Sequence, residues 1–219
     1  MFSLSGVDPS SVVRQRPRQP LRPLAALALA LVLGVPARSS GEARRYTLEV
    51  GAGAFIPLAE EHRDDYGAGA ALAFGATSQL TPSGVWLLLD VGVVRNRGQE
   101  LATDPTFALE EATLWLVPIR VGVRRDLVPP TYDGFPRVYL GVAFQSMWTS
   151  SSIPLVETQS SAAFGVSFEI HADVAGNDRW RLWVRQTAAL SSSVRIAPVL
   201  RRLDTTGAQL MAGLGYTLN

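Results

Sequence analysis

The stretch FGVSFEIH at residues 164–171 alternates large apolar residues with small or polar ones. A period of two fits a β-strand, because successive side chains of a strand point to opposite faces of its sheet. A helix would instead repeat its apolar residues every three or four positions. One face of this segment holds Phe164, Val166, Phe168 and Ile170, and the other holds Gly165, Ser167, Glu169 and His171. We therefore predict a β-strand with one apolar face.

The same alternation recurs from residue 45 to the end of the chain, in segments of about ten residues. The stretch VYLGVAFQ at residues 138–145, for example, places Val138 and Phe144 on one face and Gln145 on the other. Polar, glycine, proline and charged residues separate the segments. We predict eight strands, at residues 46–54, 66–75, 85–94, 113–124, 138–145, 164–171, 180–188 and 210–218.

The predicted fold is all-β: an eight-stranded antiparallel up-and-down transmembrane β-barrel formed by residues 45–219. A β-structure can span hydrocarbon only when it closes on itself, because every backbone donor and acceptor there needs a partner within the protein. Connections after odd-numbered strands are generally longer than those after even-numbered strands, as expected for outer loops and inner turns. The longer set is 55–65, 95–112, 149–160 and 189–206, and the shorter set is 77–84, 125–136 and 172–179.

The third and fourth strands are apolar on both faces, so single polar residues must decide which face points inward. We expect Asp90 in the third strand and Arg120 in the fourth to point inward. Pro118 lies in the fourth strand and has no N–H to donate, and a closed barrel has no free edge to hold it. The sequence therefore predicts a bulge or a local break in pairing at Pro118.

The N-terminal residues 1–37 have the features of a cleaved signal peptide. Four arginines precede an apolar run from Leu24 to Val35, and small residues close the segment at Ala37. This order is typical of a secretory signal. An uncleaved anchor is the alternative, but 12 apolar residues at about 1.5 Å each fall short of a hydrocarbon core of about 30 Å. We predict cleavage after Ala37, or as late as Ala43, and export to the bacterial outer membrane.

Composition excludes several classes of function. The chain has no cysteine, which excludes disulfides, thiolate metal sites and a lipid-modified N-terminal cysteine. Without residues 1–37, 16 arginines face 18 carboxylates, because the segment removes four arginines from 20 and one aspartate from 19. So small a net charge does not favour nucleic-acid binding. We expect no cofactor and no bound metal.

The interior of an eight-stranded barrel is only wide enough for side chains. Inward positions carry roughly balanced charge, and the glycines and alanines of the first, second and last strands would make room for long arginine side chains. We expect a buried arginine–carboxylate network that fills the lumen and has a structural role. Its predicted members are Glu49, Asp90, Arg120, Gln145, Glu169, His171, Arg181 and Arg185.

Aromatic residues are expected in two girdles where the barrel meets the lipid headgroups. The inner girdle is predicted to contain Tyr46, Phe74, Trp180 and Tyr216, and the outer girdle Phe55, Tyr66 and Trp148.

These features together resemble the small bacterial outer-membrane barrels of the OmpA/OmpX type. The resemblance covers residues 45–219 and rests on the signal peptide, the alternation and the terminal strand QLMAGLGYTLN at residues 209–219. In that family the last strand usually ends in an aromatic residue that the insertion machinery reads; here it ends in Asn219, with the aromatic displaced to Tyr216. The resemblance implies a monomer whose partners are the insertion machinery, outer-membrane lipid and lipopolysaccharide.

The chain has two histidines, and neither favours catalysis. His62 lies in the stretch EEHRDD, which we interpret as a solvated loop, since its spacing does not match that of a calcium loop. His171 is expected to form hydrogen bonds inside the lumen. A Ser–His–carboxylate hydrolase would need its three groups in contact near the outer rim. His171 is predicted at the inner end and His62 has no serine nearby, so we expect no enzymatic activity.

Three functions are compatible with the sequence. The first is a barrel with a filled lumen and a structural or surface-interaction role. The second is a narrow channel for small or apolar solutes. The third is a soluble periplasmic β-barrel that binds a lipid, in which the apolar side chains would point inward.

Overall fold

The structure is a computed structural model that describes residues 45–100, 110–128, 136–152, 159–196 and 201–218. The predicted signal segment lies outside the described residues. Within them the strands are β1 Tyr46–Pro57, β2 Gly69–Thr81, β3 Val85–Glu100, β4 Glu110–Asp126, β5 Arg137–Ser152, β6 Gln159–Gly176, β7 Trp180–Ser191, β8 Ser193–Ile196, β9 Arg201–Asp204 and β10 Gly207–Leu218, and the helix is α1 Glu60–Tyr66.

Eight of these strands, β1 to β7 and β10, close a single antiparallel barrel. The order around the wall is β1, β10, β7, β6, β5, β4, β3 and β2. Neighbours in the barrel are therefore consecutive along the chain, apart from the closing pair β1–β10 and the β8–β9 hairpin that lies between β7 and β10. Closure comes from β1 and β10, which pair from Tyr46 with Leu218 to Pro57 with Gly207. This confirms the predicted eight-stranded up-and-down barrel.

The alternation in sequence becomes an alternation in burial. In β7 every second residue is buried: Leu182 is 45% exposed, whereas its neighbour Trp183 is 1% exposed. Strands β3 and β4, whose sequences are apolar on both faces, have the predicted orientation, because Asp90 and Arg120 are each 1% exposed. Each barrel strand therefore has one inward and one outward face.

Pairing between β3 and β4 is interrupted at Pro118. Val91 pairs with Ile119 and Val94 pairs with Leu116, but the residues between these two pairs have no partner across this strand boundary. On the other side, Pro118 keeps its place opposite Met147 in β5. The predicted local break is confirmed, and its cause is the missing N–H of proline.

We call the end of the barrel that holds the connections after β1, β3, β5 and β7 the outer end, and the opposite end the inner end. The outer end has more regular structure than the sequence predicted. Strands β3 and β4 extend to Glu100 and from Glu110, within the predicted loop 95–112, and the predicted loop 189–206 contains the β8–β9 hairpin. Two inner connections are short, 82–84 and 177–179, and the first contains Gly84 with φ of 83°. A positive φ is a conformation that glycine adopts without the strain a side chain would cause.

The largest departure from prediction is helix α1. The predicted loop up to residue 65 and the first residues of the predicted second strand form this helix instead, and β2 begins at Gly69. Glu60 and Glu61 lie in its first turn, where carboxylates interact favourably with the helix dipole. His62 and Tyr66 are four residues apart, so both lie on its buried face.

Among the described residues, no helix has the length and apolar character that crossing a membrane would need.

Candidate functional site in the barrel interior

All eight residues of the predicted lumen network are buried, with exposures of 7% or less. They come from six different strands, β1 and β3 to β7. Three further members that sequence analysis missed are Arg124, Tyr139 and Asp173, each 2% exposed or less. Arg124 lies four residues after Arg120 in β4, and Asp173 lies two residues after His171 in β6, so each points to the same face of its strand as the predicted member. That shared register is the signal that could have identified them.

One half of the network is centred on Asp90. Arg120 donates from Nε and Nη2 to Asp90 Oδ1, at 3.0 and 2.6 Å, and from Nη1 to Thr187 Oγ1 at 2.9 Å. Arg185 Nη1 lies 2.9 Å from Asp90 Oδ2, an ion pair whose angles do not fit a hydrogen bond. Glu169 is a more distant member, with 3.9 Å between its Oε2 and Arg120 Nη1.

The other half is centred on Arg124. Its Nη2 donates to Glu49 Oε1 at 2.8 Å and to Thr77 Oγ1 at 3.1 Å. Its guanidinium carbon lies 4.8 Å from the centre of the Tyr139 ring, within the range of a cation–π contact. His171 Nδ1 is 3.4 Å from Arg124 Nη1. Arg124 is therefore held by a carboxylate, a hydroxyl and an aromatic face at once.

Asp173 joins this half to the inner end of the barrel. Its Oδ1 lies 3.1 Å from His171 Nε2, and its Oδ2 accepts from Arg181 Nη1 at 3.0 Å and from the Tyr139 hydroxyl at 3.2 Å. Gln145 is buried opposite Arg120 in the β4–β5 register, and its Nε2 has no hydrogen-bond partner among the described residues.

The buried charges balance. Among the residues that the structure describes, four buried arginines (Arg120, Arg124, Arg181, Arg185) face four buried carboxylates (Glu49, Asp90, Glu169, Asp173) inside the barrel. Because an unpaired buried charge is very costly, a neutral set of this kind can be buried where a surplus of one sign could not. The arrangement suits a packed interior that holds its own charges.

Gly51 of β1 and Gly213 of β10 make room for a tryptophan. A Cβ atom at Gly51 or at Gly213 would collide with the Trp183 ring. Arg185 stacks on the same ring, with its guanidinium carbon 5.2 Å from the ring centre. At Gly51 and Gly213 the space predicted for arginine side chains is therefore occupied by Trp183, whereas a Cβ atom at Gly215 would lie 3.8 Å from Cβ of Arg181.

The outer half of the interior is mainly apolar and lies beneath α1. Its buried apolar residues are Phe55, Tyr66, Ala71, Ala73, Val94, Leu114, Leu116, Met147, Ala163 and Met211, and Asn96, Thr149 and Ser151 are buried polar residues at the same end. Phe55 and Tyr66 are 1% and 6% exposed, so their predicted place in the outer girdle is wrong. Phe55 occupies an inward position of β1, and Tyr66 belongs to the buried face of α1.

His62 is fully buried between these two rings, 5.6 Å from Phe55 and 5.9 Å from Tyr66 between ring centres. Its Nδ1 lies 3.2 Å from the carbonyl oxygen of Asp204. Burial lowers the pKa of His62, although the hydrogen bond to Asp204 acts in the opposite direction. The predicted solvated loop is wrong, because this histidine fixes α1 to the barrel.

No group of three or more histidine or acidic side chains that could hold a metal ion occurs in the described ranges.

The remaining predicted girdle residues lie on strands. Trp180 and Tyr216 are neighbours at the inner end, with 4.7 Å between ring centres, and Tyr46 begins β1 at the same end. Trp148 is 41% exposed near the outer end of β5. Phe74 is 59% exposed but lies in the middle of β2, away from the inner end.

The exterior is apolar around the whole wall. We define the apolar band as the outward-facing residues of β1, β2, β5, β6, β7 and β10, together with those within 85–93 of β3 and 115–123 of β4. It contains polar residues such as Ser146 and Gln186, but no charged residue. Well-exposed members of the band are Leu48, Val50, Leu72, Phe74, Val121, Leu140, Phe144, Phe168, Ile170, Leu182 and Leu214.

A shallow cleft of about 450 Å³ lies at the outer end, between α1 and β3. Its walls include Arg63, Asp65 and Tyr66 of the helix and Arg97 of the strand.

A closed antiparallel barrel of eight strands, with charged residues packed inside and an apolar exterior, is the architecture of small up-and-down membrane barrels. Solved structures share it. The crystal structure of the outer membrane protein OprG from Pseudomonas aeruginosa matches with a TM-score of 0.59 and 12% sequence identity, over 81% of this chain and 97% of that chain. Neisserial surface protein A matches with a TM-score of 0.52 and 12% identity, over 80% and 99%.

A major outer membrane protein from Thermus thermophilus has a TM-score of 0.50 and 15% identity, over 81% of this chain and 100% of that chain. No protein-family model matches the chain, and no curated protein matches its sequence. The structural matches show that the fold is that of small outer-membrane barrels, which confirms the resemblance predicted from the sequence.

Proposed function

We propose that the chain is an integral protein of the bacterial outer membrane that is exported with a cleaved signal peptide. The observation that carries this proposal is the apolar band, which surrounds a closed wall and holds no charged residue. A soluble barrel would lose stability by exposing so much contiguous apolar surface to water. In lipid the same surface is matched to its surroundings, and closure pairs the backbones of neighbouring strands around the wall, apart from the break at Pro118.

The role we propose is structural or surface-interacting, with no enzymatic activity. The inner half of the lumen is occupied by the balanced charge network and the outer half by apolar side chains beneath α1. His171, which a hydrolase would need to be accessible, is 0% exposed and stacks on Trp183 at 5.4 Å between ring centres. Surface interactions would then involve the outer end of the barrel, where α1 and the β8–β9 hairpin lie.

Two other functions were compatible with the sequence. A soluble lipid-binding barrel would have its apolar side chains pointing inward, and the exposed apolar residues of the band favour the membrane placement instead. A narrow solute channel requires a continuous path through the lumen. The side chains of Trp183, Arg120 and Arg185, all 1% exposed, support a filled lumen instead.

The partners we propose are lipid, lipopolysaccharide and the barrel-insertion machinery, with the protein itself a monomer. Membrane fractionation combined with heat-shifted gel mobility tests the placement: an unheated barrel should migrate differently from the boiled chain and sediment with outer membranes. A mature protein that stays folded and monomeric in detergent-free buffer would overturn the proposal. N-terminal sequencing of the mature protein tests cleavage after Ala37.

Planar-bilayer recordings separate the filled barrel from the channel. We expect no discrete conductance steps from the purified barrel, because the charged and apolar layers close the lumen. Stable single-channel steps that persist after repurification would favour the channel.

A further inference from the structure

Charged side chains reappear on the exterior at the two edges of the apolar band. Among outward-facing strand positions whose side chains the structure describes, the charged residues are Arg95, Arg97 and Arg125. All three are exposed, and all three are positive. The described charges beside the apolar band are therefore positive, and positive charge there is complementary to a layer of lipid phosphates.

The pairing of β3 with β4 fixes the separation of the two edges. Arg95 lies opposite Trp115, and Val85 lies opposite Arg125. Ten residues therefore separate the two arginine levels, which is about 33 Å along a strand. With a strand tilt of about 40°, this becomes a height of about 25 Å, the usual height of the apolar belt of a membrane barrel. Both arginines would then lie at headgroup level, on opposite sides of the membrane.

At the outer edge of the band, Arg95 has an aromatic partner. The Arg95 guanidinium carbon lies 5.4 Å from the centre of the Trp115 ring, and Trp115 is 39% exposed. On its other side Arg95 lies opposite Ala70, a residue too small to cover it. Stacking on an indole restrains the guanidinium while its N–H groups stay available, and arginine binds phosphate through two parallel hydrogen bonds.

We propose that Arg95, oriented by Trp115, binds the phosphate of a phosphorylated glycolipid of the lipopolysaccharide type in the outer leaflet. This proposal rests on the proposed membrane placement. The orientation follows from the longer connections, including α1 and the β8–β9 hairpin, which mark the outer end. Arg97 occupies the next outward position on the same strand and adds positive charge toward the cleft beside α1.

The test is native mass spectrometry of the folded barrel in a neutral detergent, titrated with diphosphorylated lipid A and, separately, with dephosphorylated lipid A. We expect the wild type to retain the phosphorylated lipid. Arg95→Gln should bind the phosphorylated lipid about fivefold more weakly, which is the contribution to binding expected of one surface arginine near an anionic lipid layer. Trp115→Leu should also weaken binding, while Arg125→Gln, the matched exposed arginine at the inner edge, should leave binding unchanged.

Equal losses in Arg95→Gln and Arg125→Gln would show general charge attraction and overturn the site, as would equal binding of the dephosphorylated lipid. Arg95→Lys keeps the charge but loses the planar donor pair, so intermediate binding is expected. Heat-shifted mobility of each variant confirms folding before the titration. Failure of the wild type to enter phosphatidylcholine vesicles would instead count against membrane placement, a result separate from the loss of lipid A binding.

Discussion

Asp90 and Arg120 face each other across the β3–β4 pair and are joined by a contact of 2.6 Å between Oδ1 and Nη2, with both side chains 2% exposed or less. They are direct cross-strand partners in the same strand pair whose bonding is interrupted at Pro118. A charged pair buried at this position has no access to water, so its partners must come from the opposite wall. Arg185 and Thr187 of β7 supply them.

Replacing Arg185 with alanine tests whether the lumen network holds the barrel together. Asp90 would keep Arg120 but lose its second cation, and we expect the free energy of unfolding to fall by about 3–5 kcal/mol. Urea unfolding in lipid vesicles measures the change. Arg125→Ala, which removes an exposed arginine from the exterior, should have little effect. Unchanged stability of Arg185→Ala would show that the assignment of the lumen network is wrong.

The 2.8 Å contact between Glu49 and Arg124 can be tested by a double-mutant cycle. Glu49→Leu alone leaves the Arg124 guanidinium buried without its carboxylate, and we expect a loss of about 3–5 kcal/mol. The double variant Glu49→Leu/Arg124→Met should be less destabilised than the sum of the two single variants, since it leaves neither charge unpaired. Additive losses in urea unfolding would contradict a direct interaction.

Much of this architecture could be predicted from the sequence because a membrane barrel imposes a period of two on every strand. Residues 164–171 were sufficient to assign inward and outward faces, and Asp90 and Arg120 identified the inward face in strands where apolar residues gave no signal. The prediction at Pro118 succeeded for a chemical reason, since no register can supply the N–H that proline lacks.

The parts that could not be predicted lie where strands end. Asp173 has the correct alternation but lies two residues beyond the predicted end of the sixth strand at residue 171, whereas Arg124 is the last residue of the predicted fourth strand and its alternation with Arg120 could have assigned it to the network. Tyr66 was assigned to a strand because it happens to share the even-numbered alternation of Leu72. A seven-residue helix that buries His62 and Tyr66 depends on contacts with β1, β3 and β9, which a local pattern does not contain.

Gly213 tests whether the glycines of the closing strand are required for packing. A Cβ atom there would collide with the Trp183 ring and would lie 2.7 Å from the Cα of Gly51. We expect Gly213→Ala to destabilise the barrel by about 1–3 kcal/mol. The matched control is Gly215→Ala, whose nearest contact would be Thr47 Cγ2 at 3.3 Å, and it should be better tolerated. Equal stabilities by urea unfolding would contradict this packing.

Docking of α1 should depend on pH through His62. Burial lowers the pKa of His62, while Asp204 and Asp65 raise it to a smaller extent. The docked helix therefore favours the neutral ring, and its stability is greatest above about pH 6.5, the ordinary pKa of histidine. This stability of the docked helix is lost as the pH falls from about 6.5 through the lowered pKa of His62. Hydrogen exchange of the α1 amides, corrected for intrinsic rates, should accelerate as the pH falls below about 6.5. His62→Phe should remove this pH dependence.

The orientation of the apolar band can be tested on one strand with two identical substitutions. Val166 is an outward residue of β6 within the band and is 40% exposed, and Ser160 faces outward at the outer end of the same strand. If acyl chains surround the band, Val166→Arg should cost about 2–4 kcal/mol in a bilayer, and Ser160→Arg about 0–1 kcal/mol. Urea unfolding in phosphatidylcholine vesicles gives both values under the same conditions. The difference depends on depth, because both variants add the same charge to the same face. Equal costs at the two positions would mean that β6 crosses no hydrocarbon layer, and the membrane assignment would have to be abandoned.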